Sequence, residues 1–350
     1  MAGFRQGQDR HSGGYSRHMR AERPIRIGVM AYEGCFGAEI FGITDLLRIA
    51  NHVARRSDVA AGDVFEVSVV ARRGALVRVA GGISVGARQW HPGLDTLVVP
   101  GFELASAEGL TGSLARWRQE TSFLSLVAAR GVPVASVCVG AFLLGEAGLL
   151  DGRTVTTSWL FARELAARHP RATVDADAMM VADGNVTTTA AFSTVHDLAM
   201  HLVTRYAGDQ VARSTSRIGL VPDNRDSQAA YVDREVIAST GPRFARSVQR
   251  WLVDRLEQPY DLPAMSRAFE VSPRTMLRRF ALETGRTPLE FLREARVNAA
   301  TRLLESTDWR VPEIMERIGY VDPSSFRRLF ARQTGMTPGA YRRQFTRTAR

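Results

Sequence analysis

The chain has no lysine, and all 46 of its basic residues are arginine. Cysteine occurs only twice, as Cys35 and Cys138. A disulfide-stapled secreted fold uses more, so the sequence points to a reducing cytoplasm. Long hydrophobic runs are also missing. The most apolar stretch, Val132 to Leu150, is interrupted by Pro133, Gly140, Gly145 and Glu146. A strand followed by a helix explains it better than a membrane span. Residues 1–23 lack the apolar segment of a signal peptide and are polar, Gly-rich and Arg-rich, which reads as a disordered arm. His196 and His201 do not make a metal site together, and neither a metal ion nor a cofactor is expected.

What is present is an uneven distribution of charge. The chain of 350 residues carries a formal net charge of +10. Residues 243–350 hold 21 Arg against 12 acidic residues, a net of +9, whereas residues 1–242 hold 25 against 24, a net of +1. A segment this basic attracts a polyanion through counterion release, although a solvated arginine-rich face has the same composition. A hydrophobic content of 45% at this length fits a globular protein of two domains.

Residues 25–30, 64–71, 95–100, 132–137 and 179–182 read as strands. The segments 39–55, 113–130, 139–147, 161–168 and 195–206 read as helices. Apolar strands alternating with helices predict an α/β domain over 24–207, with a mostly parallel sheet in a flavodoxin-like sandwich. Residues 208–243, rich in Gly, Pro and turn-forming residues, read as a linker with one short helix within 227–239. From Phe244 onward only helical periodicity is seen, which predicts an all-α domain over 244–350.

That domain carries an internal repeat. Asp261 and Ser272 are N-cap residues, each followed closely by proline, and Gly285 closes the second helix. The run from Ser272 to Phe280 aligns with that from Asp322 to Phe330, and Thr284-Gly285 with Thr334-Gly335, at a spacing of 50 residues. Met276, Leu277 and Phe280 mark the inward side of one helix, and Phe326, Leu329 and Phe330 that of the other. Residues 288–306 make a single long helix between the two units. This duplication predicts two helix-turn-helix units rather than a helical bundle with basic faces.

Residues 244–346 resemble the AraC/XylS family of DNA-binding domains. The resemblance rests on Gly319-Tyr-Val-Asp-Pro-Ser-Ser-Phe-Arg-Arg-Leu-Phe330 and Gly335-Met-Thr-Pro-Gly-Ala-Tyr341. It implies a transcriptional regulator with two recognition helices in successive segments of the major groove. The base-facing positions it implies are Arg274, Leu277 and Arg278 in the first unit, and Ser324, Arg327 and Arg328 in the second. Arginine reads guanine through paired hydrogen bonds or contacts phosphate without specifying sequence. Leu277 stands where a polar reader is often found and either touches a thymine methyl or contributes nothing.

In the N-terminal region, Cys138 lies between a strand and a helix in Val-Ala-Ser-Val-Cys-Val-Gly-Ala-Phe, a pattern like a nucleophile elbow with Cys in place of Ser. The helix N-terminus is expected to favour its thiolate. Leu97-Val-Val-Pro-Gly101, the run 136–152 and Thr156-Thr-Ser-Trp159 resemble the class I glutamine amidotransferase-like superfamily, specifically the PfpI-like sensor domain of GlxA-type regulators, over about residues 25–206. The resemblance implies an acidic partner for Cys138 at Glu39. The candidate ligand pocket is Glu39, Gly101, Phe102, Cys138, Val139 and Ser158. Ser158 stands where relatives often have His, so no catalytic base is identified and no catalytic residue is assigned. His196 reads as packing or pocket lining. Metabolite sensing is the preferred reading, with a cysteine-dependent amidase or hydrolase and a redox sensor as the alternatives. The partners implied are double-stranded promoter or operator DNA, a small-molecule effector, a second copy of the chain and RNA polymerase, with no membrane.

Overall fold

In a computed structural model the protein is described over residues 23–57, 59–104, 110–222, 225, 227–232 and 243–345. Apart from Arg23, the expected N-terminal arm lies outside these residues. So do residues 223, 224, 226 and 233–242 of the expected linker.

Strand β1 (Ile25–Met30) is buried over its last four residues because both of its faces are covered. It pairs in parallel with β2 (Phe65–Ala71), Ile25 opposite Phe65, and on its other side with β5 (Thr96–Val99), Ile27 opposite Thr96. The remaining strands are β3 (Ala75–Arg78), β4 (Ser84–Gln89), β6 (Val134–Ser136), β9 (Met180–Asp183) and β10 (Val186–Thr189). The eight lie in the order β3-β4-β2-β1-β5-β6-β10-β9, parallel except for the two outermost strands. A separate parallel pair joins β7 (Thr154–Val155) to β8 (Thr173–Val174). The helices are α1 (Gly37–Arg56), α2 (Leu110–Arg116), α3 (Arg118–Ala129), α4 (Gly140–Glu146), α5 (Ala162–Arg168) and α6 (Val195–Gly219). This is the flavodoxin-like α/β domain that the alternation of strands and helices predicts.

Three departures from the sequence reading have local causes. The single helix expected over 113–130 is two, broken at Trp117. The Trp117 indole N–H donates to the Glu33 carbonyl (3.0 Å) and its ring packs on Tyr32 and Phe102, so tertiary anchoring overrides helical continuity. Strand β10 escapes a count of apolar residues because it reads Val-Thr-Thr-Thr. Two of those threonines are fully buried, with their hydroxyls bonded to the Thr156 N–H and the Ser136 carbonyl. Helix α6 runs past Tyr206 to Gly219, turning at Gly208 (φ 83°), and Val211 and Ala212 are buried in the same core as the sheet. The stretch from 208 to 219, read as linker, is therefore helix.

The C-terminal region is helical throughout the described residues: α7 (Arg243–Val253), α8 (Leu262–Ala268), α9 (Pro273–Thr284), α10 (Pro288–Ser306), α11 (Val311–Arg317), α12 (Pro323–Thr334) and α13 (Pro338–Phe345). Its start and stop signals act as the sequence indicates. Asp261, Ser272 and Asp322 each accept a hydrogen bond from a backbone N–H of the first turn, and Gly285 and Gly335 close α9 and α12 in the left-handed conformation. Thr287 and Glu290 form a reciprocal capping box at the start of α10. Helix α10 serves two cores. Phe291, Leu292 and Ala295 pack with Met265, Met276 and Phe280, whereas Val297, Ala300 and Leu304 pack with Ile314, Met315, Phe326 and Phe330. Among the described residues no helix is long and apolar enough to cross a membrane.

The N-terminal sheet imposes a tight crossing where α4 leaves β6. A Cβ placed on Gly140 would lie 2.7 Å from the carbonyl oxygens of both Val99 and Pro100. Neither is the end of a flexible side chain, so the clash cannot relax cheaply. Gly140→Ala is expected to destabilise the N-terminal domain by roughly 1–3 kcal/mol, measured by urea unfolding. An unchanged midpoint would show that the crossing is looser than described.

Candidate functional site

The strand order reverses between β1 and β5, which makes the carboxyl ends of these central strands the switch point of the sheet. Glu39 reaches it from α1, Gly101 from the turn after β5, and Cys138 from the turn after β6. Cys138 has φ 53°, a left-handed conformation rare for a residue with a side chain and the mark of a sharp elbow. Gly101 lets the two turns meet, because a Cβ there would lie 3.2 Å from that of Cys138. Its N–H donates to Glu39 Oε2 at 2.6 Å. Cys138, Glu39 and Gly101 are thus brought together.

The other expected pocket residues divide. The backbone N–H of Val139 interacts favourably with the Cys138 sulfur, as does that of Phe192. Phe102 is fully buried, bridged to Cys35 and tilted against Trp117, as part of the core. Ser158 is buried, but the residue of that run that reaches the elbow is its neighbour Thr157, whose hydroxyl donates to the Cys138 carbonyl at 2.8 Å. Phe36 closes over Gly101 and meets Phe192 edge-on at 5.4 Å. Sequence reasoning passed over Thr157, Phe36 and Phe192, because a threonine and two phenylalanines have no distinctive spacing. His196 is half-buried against Gly42 of α1, with Nδ1 3.1 Å from the Ser193 carbonyl oxygen.

Burial sets the protonation of the elbow. It pushes the Cys138 thiol up to about 12, with Glu39 adding to the rise and the Val139 and Phe192 N–H groups opposing it. The expected thiolate is therefore corrected: at the start of the seven-residue α4, desolvation outweighs the pull of the helix N-terminus. Burial also pushes Glu39 up to about 8 against the Gly101 N–H. Oε1 of Glu39, buried and without a hydrogen-bond partner among the described residues, is where its proton belongs. Near neutral pH the pair is a carboxylic acid beside a thiol. Among the described residues no group of three or more His, Cys, Asp or Glu is placed to hold a metal ion.

The C-terminal region presents a different surface. Arg274 and Arg278 of α9 and Ser324, Arg327 and Arg328 of α12 are exposed, and Leu277 is half-buried rather than wholly inward. Arg279, beside them, is committed within the domain: it pairs with Glu283 at 2.9 Å and lies 4.0 Å over the Phe244 ring. The two turns also differ. Glu270 holds φ 52° in the first, where Gly319 holds φ 71° in the second. Gly319 is needed there because a Cβ would sit 2.6 Å from the Glu257 carbonyl oxygen. Arg296 of α10 donates to the carbonyls of Leu256 (2.8 Å) and Gln258 (2.6 Å) and lies over Tyr320, tying the same loop to the second unit. These contacts seat the loop at residues 256–258 against the second unit.

A DJ-1/PfpI family model matches residues 54–205, and a helix-turn-helix domain model matches residues 265–344. The chain is 26% identical over 323 residues to the HTH-type transcriptional regulator GlxA of Rhizobium meliloti, covering 91% of this chain and 96% of that protein. It is 27% identical over 299 residues to the HTH-type transcriptional regulator CdhR of Pseudomonas aeruginosa, covering 83% of this chain and 84% of that one. A solved AraC family transcriptional regulator from Pseudomonas putida matches at 23% identity and a TM-score of 0.46, over 56% of this chain and 99% of that one.

The raised Glu39 carboxyl makes stability depend on pH. The folded state keeps a proton that the unfolded chain loses above the ordinary value of 4.5, so this contribution falls as pH rises from about 4.5 to about 8. Glu39→Gln removes the titrating group. Its stability relative to the parent chain, measured by urea unfolding, is expected to rise steadily between pH 5 and pH 8. Parallel pH profiles for the two proteins would contradict a buried, protonated Glu39.

Proposed function

The chain belongs to the AraC-type transcriptional regulators that carry an N-terminal DJ-1/PfpI domain, and on that premise we propose that it is a ligand-responsive, sequence-specific DNA-binding protein whose N-terminal domain senses rather than catalyses. The observation that carries the DNA-binding part is the pair of exposed arginines on each of α9 and α12. Arg274, Arg278, Arg327 and Arg328 make no ion pair or side-chain hydrogen bond among the described residues, so their guanidinium groups are free for bases or phosphates. The caps distinguish the two units. Ser272 leaves the positive end of α9 available to a phosphate, whereas Asp322 places a carboxylate at the start of α12. Phosphate attraction at a helix start therefore favours the first unit.

The sensing part rests on the elbow. A thiol held up to about 12 beside a neutral carboxylic acid is a poor nucleophile, and among the described residues none of the groups bonded to the elbow is a histidine. That supports a binding role over the amidase or hydrolase reading. Phe36 and the half-exposed Phe192 supply an apolar rim, while Glu39 offers a carboxyl proton. The ligand this suits is a small, partly apolar metabolite with a hydrogen-bond acceptor.

Arg278→Ala is expected to cost about 1–3 kcal/mol in binding to a duplex selected by the full chain, and to relax preference at one base pair. Fluorescence anisotropy against single-base variants of that duplex measures both. A loss that is uniform across all variants, with a shallower salt dependence, would assign Arg278 to phosphate instead.

A further inference from the structure

Arg225 and residues 227–231 lie between the two domains, and Arg225 and Gln228 each have a side-chain anchor on a segment of the N-terminal domain next to Cys138. Arg225 donates to the Asp197 carboxylate through Nε (3.2 Å) and Nη2, and to the Ser193 hydroxyl (2.9 Å) and carbonyl (3.2 Å). Ser193 sits in the 3-10 turn Phe192–Thr194, whose Phe192 N–H interacts with the Cys138 sulfur. Gln228 is 2% exposed, and its side chain is bonded at both ends. Oε1 accepts from the Trp159 N–H (3.0 Å), and Nε2 donates to the carbonyls of Thr157 (2.9 Å) and Ala178 (3.3 Å). Thr157 in turn holds the Cys138 carbonyl. The backbone of the segment is fixed as well, with the Gln228 N–H on the Asp177 carbonyl (2.9 Å).

The far end of the same segment is built into the second helix-turn-helix unit. Ala230 is buried in the core that holds Phe326, Phe330 and Tyr341, and its carbonyl faces the Tyr341 hydroxyl at 3.5 Å. Tyr231 meets Phe345 edge-on at 5.4 Å and accepts from Gln344. These contacts fall on the inward side of α12 and α13, leaving Arg327 and Arg328 exposed. A segment that gripped the unit in order to block DNA would cover those residues, so this one is suited to orient the unit.

We infer that Arg225 and residues 227–231 form a coupling strap, with Gln228 as its positioning residue, through which the state of the Cys138 elbow reaches the DNA-binding region at the core of its second helix-turn-helix unit. The inference rests on the reading of the N-terminal domain as a sensor, but its test needs no ligand. A change at the elbow moves Thr157 or the 192–194 turn. Either shift alters the seat of Gln228 or Arg225, and the strap carries it to Ala230 and α12. A polar side chain buried and bonded at both ends transmits such a shift because any lost bond leaves a buried group unpaired.

Hydrogen exchange by mass spectrometry on the full chain tests this with a double-mutant cycle. Thr157→Val removes the hydroxyl bond to the elbow, and Gln228→Ala cuts the strap. Thr157→Val is expected to speed exchange in α12 and α13 by about threefold or more and to leave α8 and α9 unchanged. In the Gln228→Ala background that increment is expected to vanish. Confinement of the Thr157→Val effect to the N-terminal domain would overturn the inference, and so would an equal effect in both backgrounds. If Thr157→Val abolishes cooperative unfolding, Cys138→Ala, which alters the elbow itself, takes its place in the same cycle with the same expected and overturning outcomes. Coupling seen by exchange together with no metabolite that shifts DNA affinity would refute the sensing reading and leave the strap standing.

Discussion

One helix belongs to two cores, and the C-terminal region depends on that constraint. The apolar side of α10 changes allegiance along its length, from Phe291, Leu292 and Ala295 to Val297, Ala300 and Leu304. Neither helix-turn-helix unit completes its core without it. Helices α9 and α12 are therefore held at a fixed spacing by buried apolar area rather than by a flexible connection. Arg296 and Gly319 reinforce the arrangement from the side, by seating the loop around Glu257 against the second unit. On the proposed reading, rigidity of this kind would turn two modest reading surfaces into one longer site, since the second unit would be delivered to DNA at high effective concentration once the first is bound.

The N-terminal domain is organised around a different economy. The left-handed Cys138, the close approach of Gly101 and the crossing at Gly140 concentrate backbone strain and tight packing at the switch point of the sheet. Such features usually accompany a function. Here they surround groups that burial keeps neutral, Glu39 and Cys138, so the geometry of an elbow persists while its electrostatics suit binding. The proposed strap of Arg225 and residues 227–231 would give that geometry a route to the DNA-binding region.

Legibility in the sequence followed the range of the interactions. The C-terminal region was readable because its signals are local: N-cap residues, prolines in first turns, closing glycines, and a repeat at 50 residues. The central strands were readable as apolar runs. Strand β10 was not, because its threonines are buried with their hydroxyls satisfied by distant partners. The break at Trp117 was not, because it is imposed by Glu33, Tyr32 and Phe102. At the elbow, Cys138 was found through the local strand-to-helix pattern and Glu39 and Gly101 through resemblance, while Thr157 was missed in favour of its neighbour Ser158. Gln228 lay in a stretch that looks like an ordinary linker. Its partners Trp159 and Thr157 are 69 and 71 residues away, and no local pattern records such a pairing.

The account turns on two units reading DNA in one fixed geometry, and half-site spacing tests that most directly. The full chain is titrated by fluorescence anisotropy against a duplex it has selected, and against versions in which about 5 base pairs, roughly half a helical turn, separate the two half-sites further. The predicted result is a loss of affinity of about tenfold or more on insertion, because α10 cannot follow the second half-site around the duplex. Affinity that is indifferent to the insertion would mean that only one unit reads DNA, or that the two move independently, and would contradict the account.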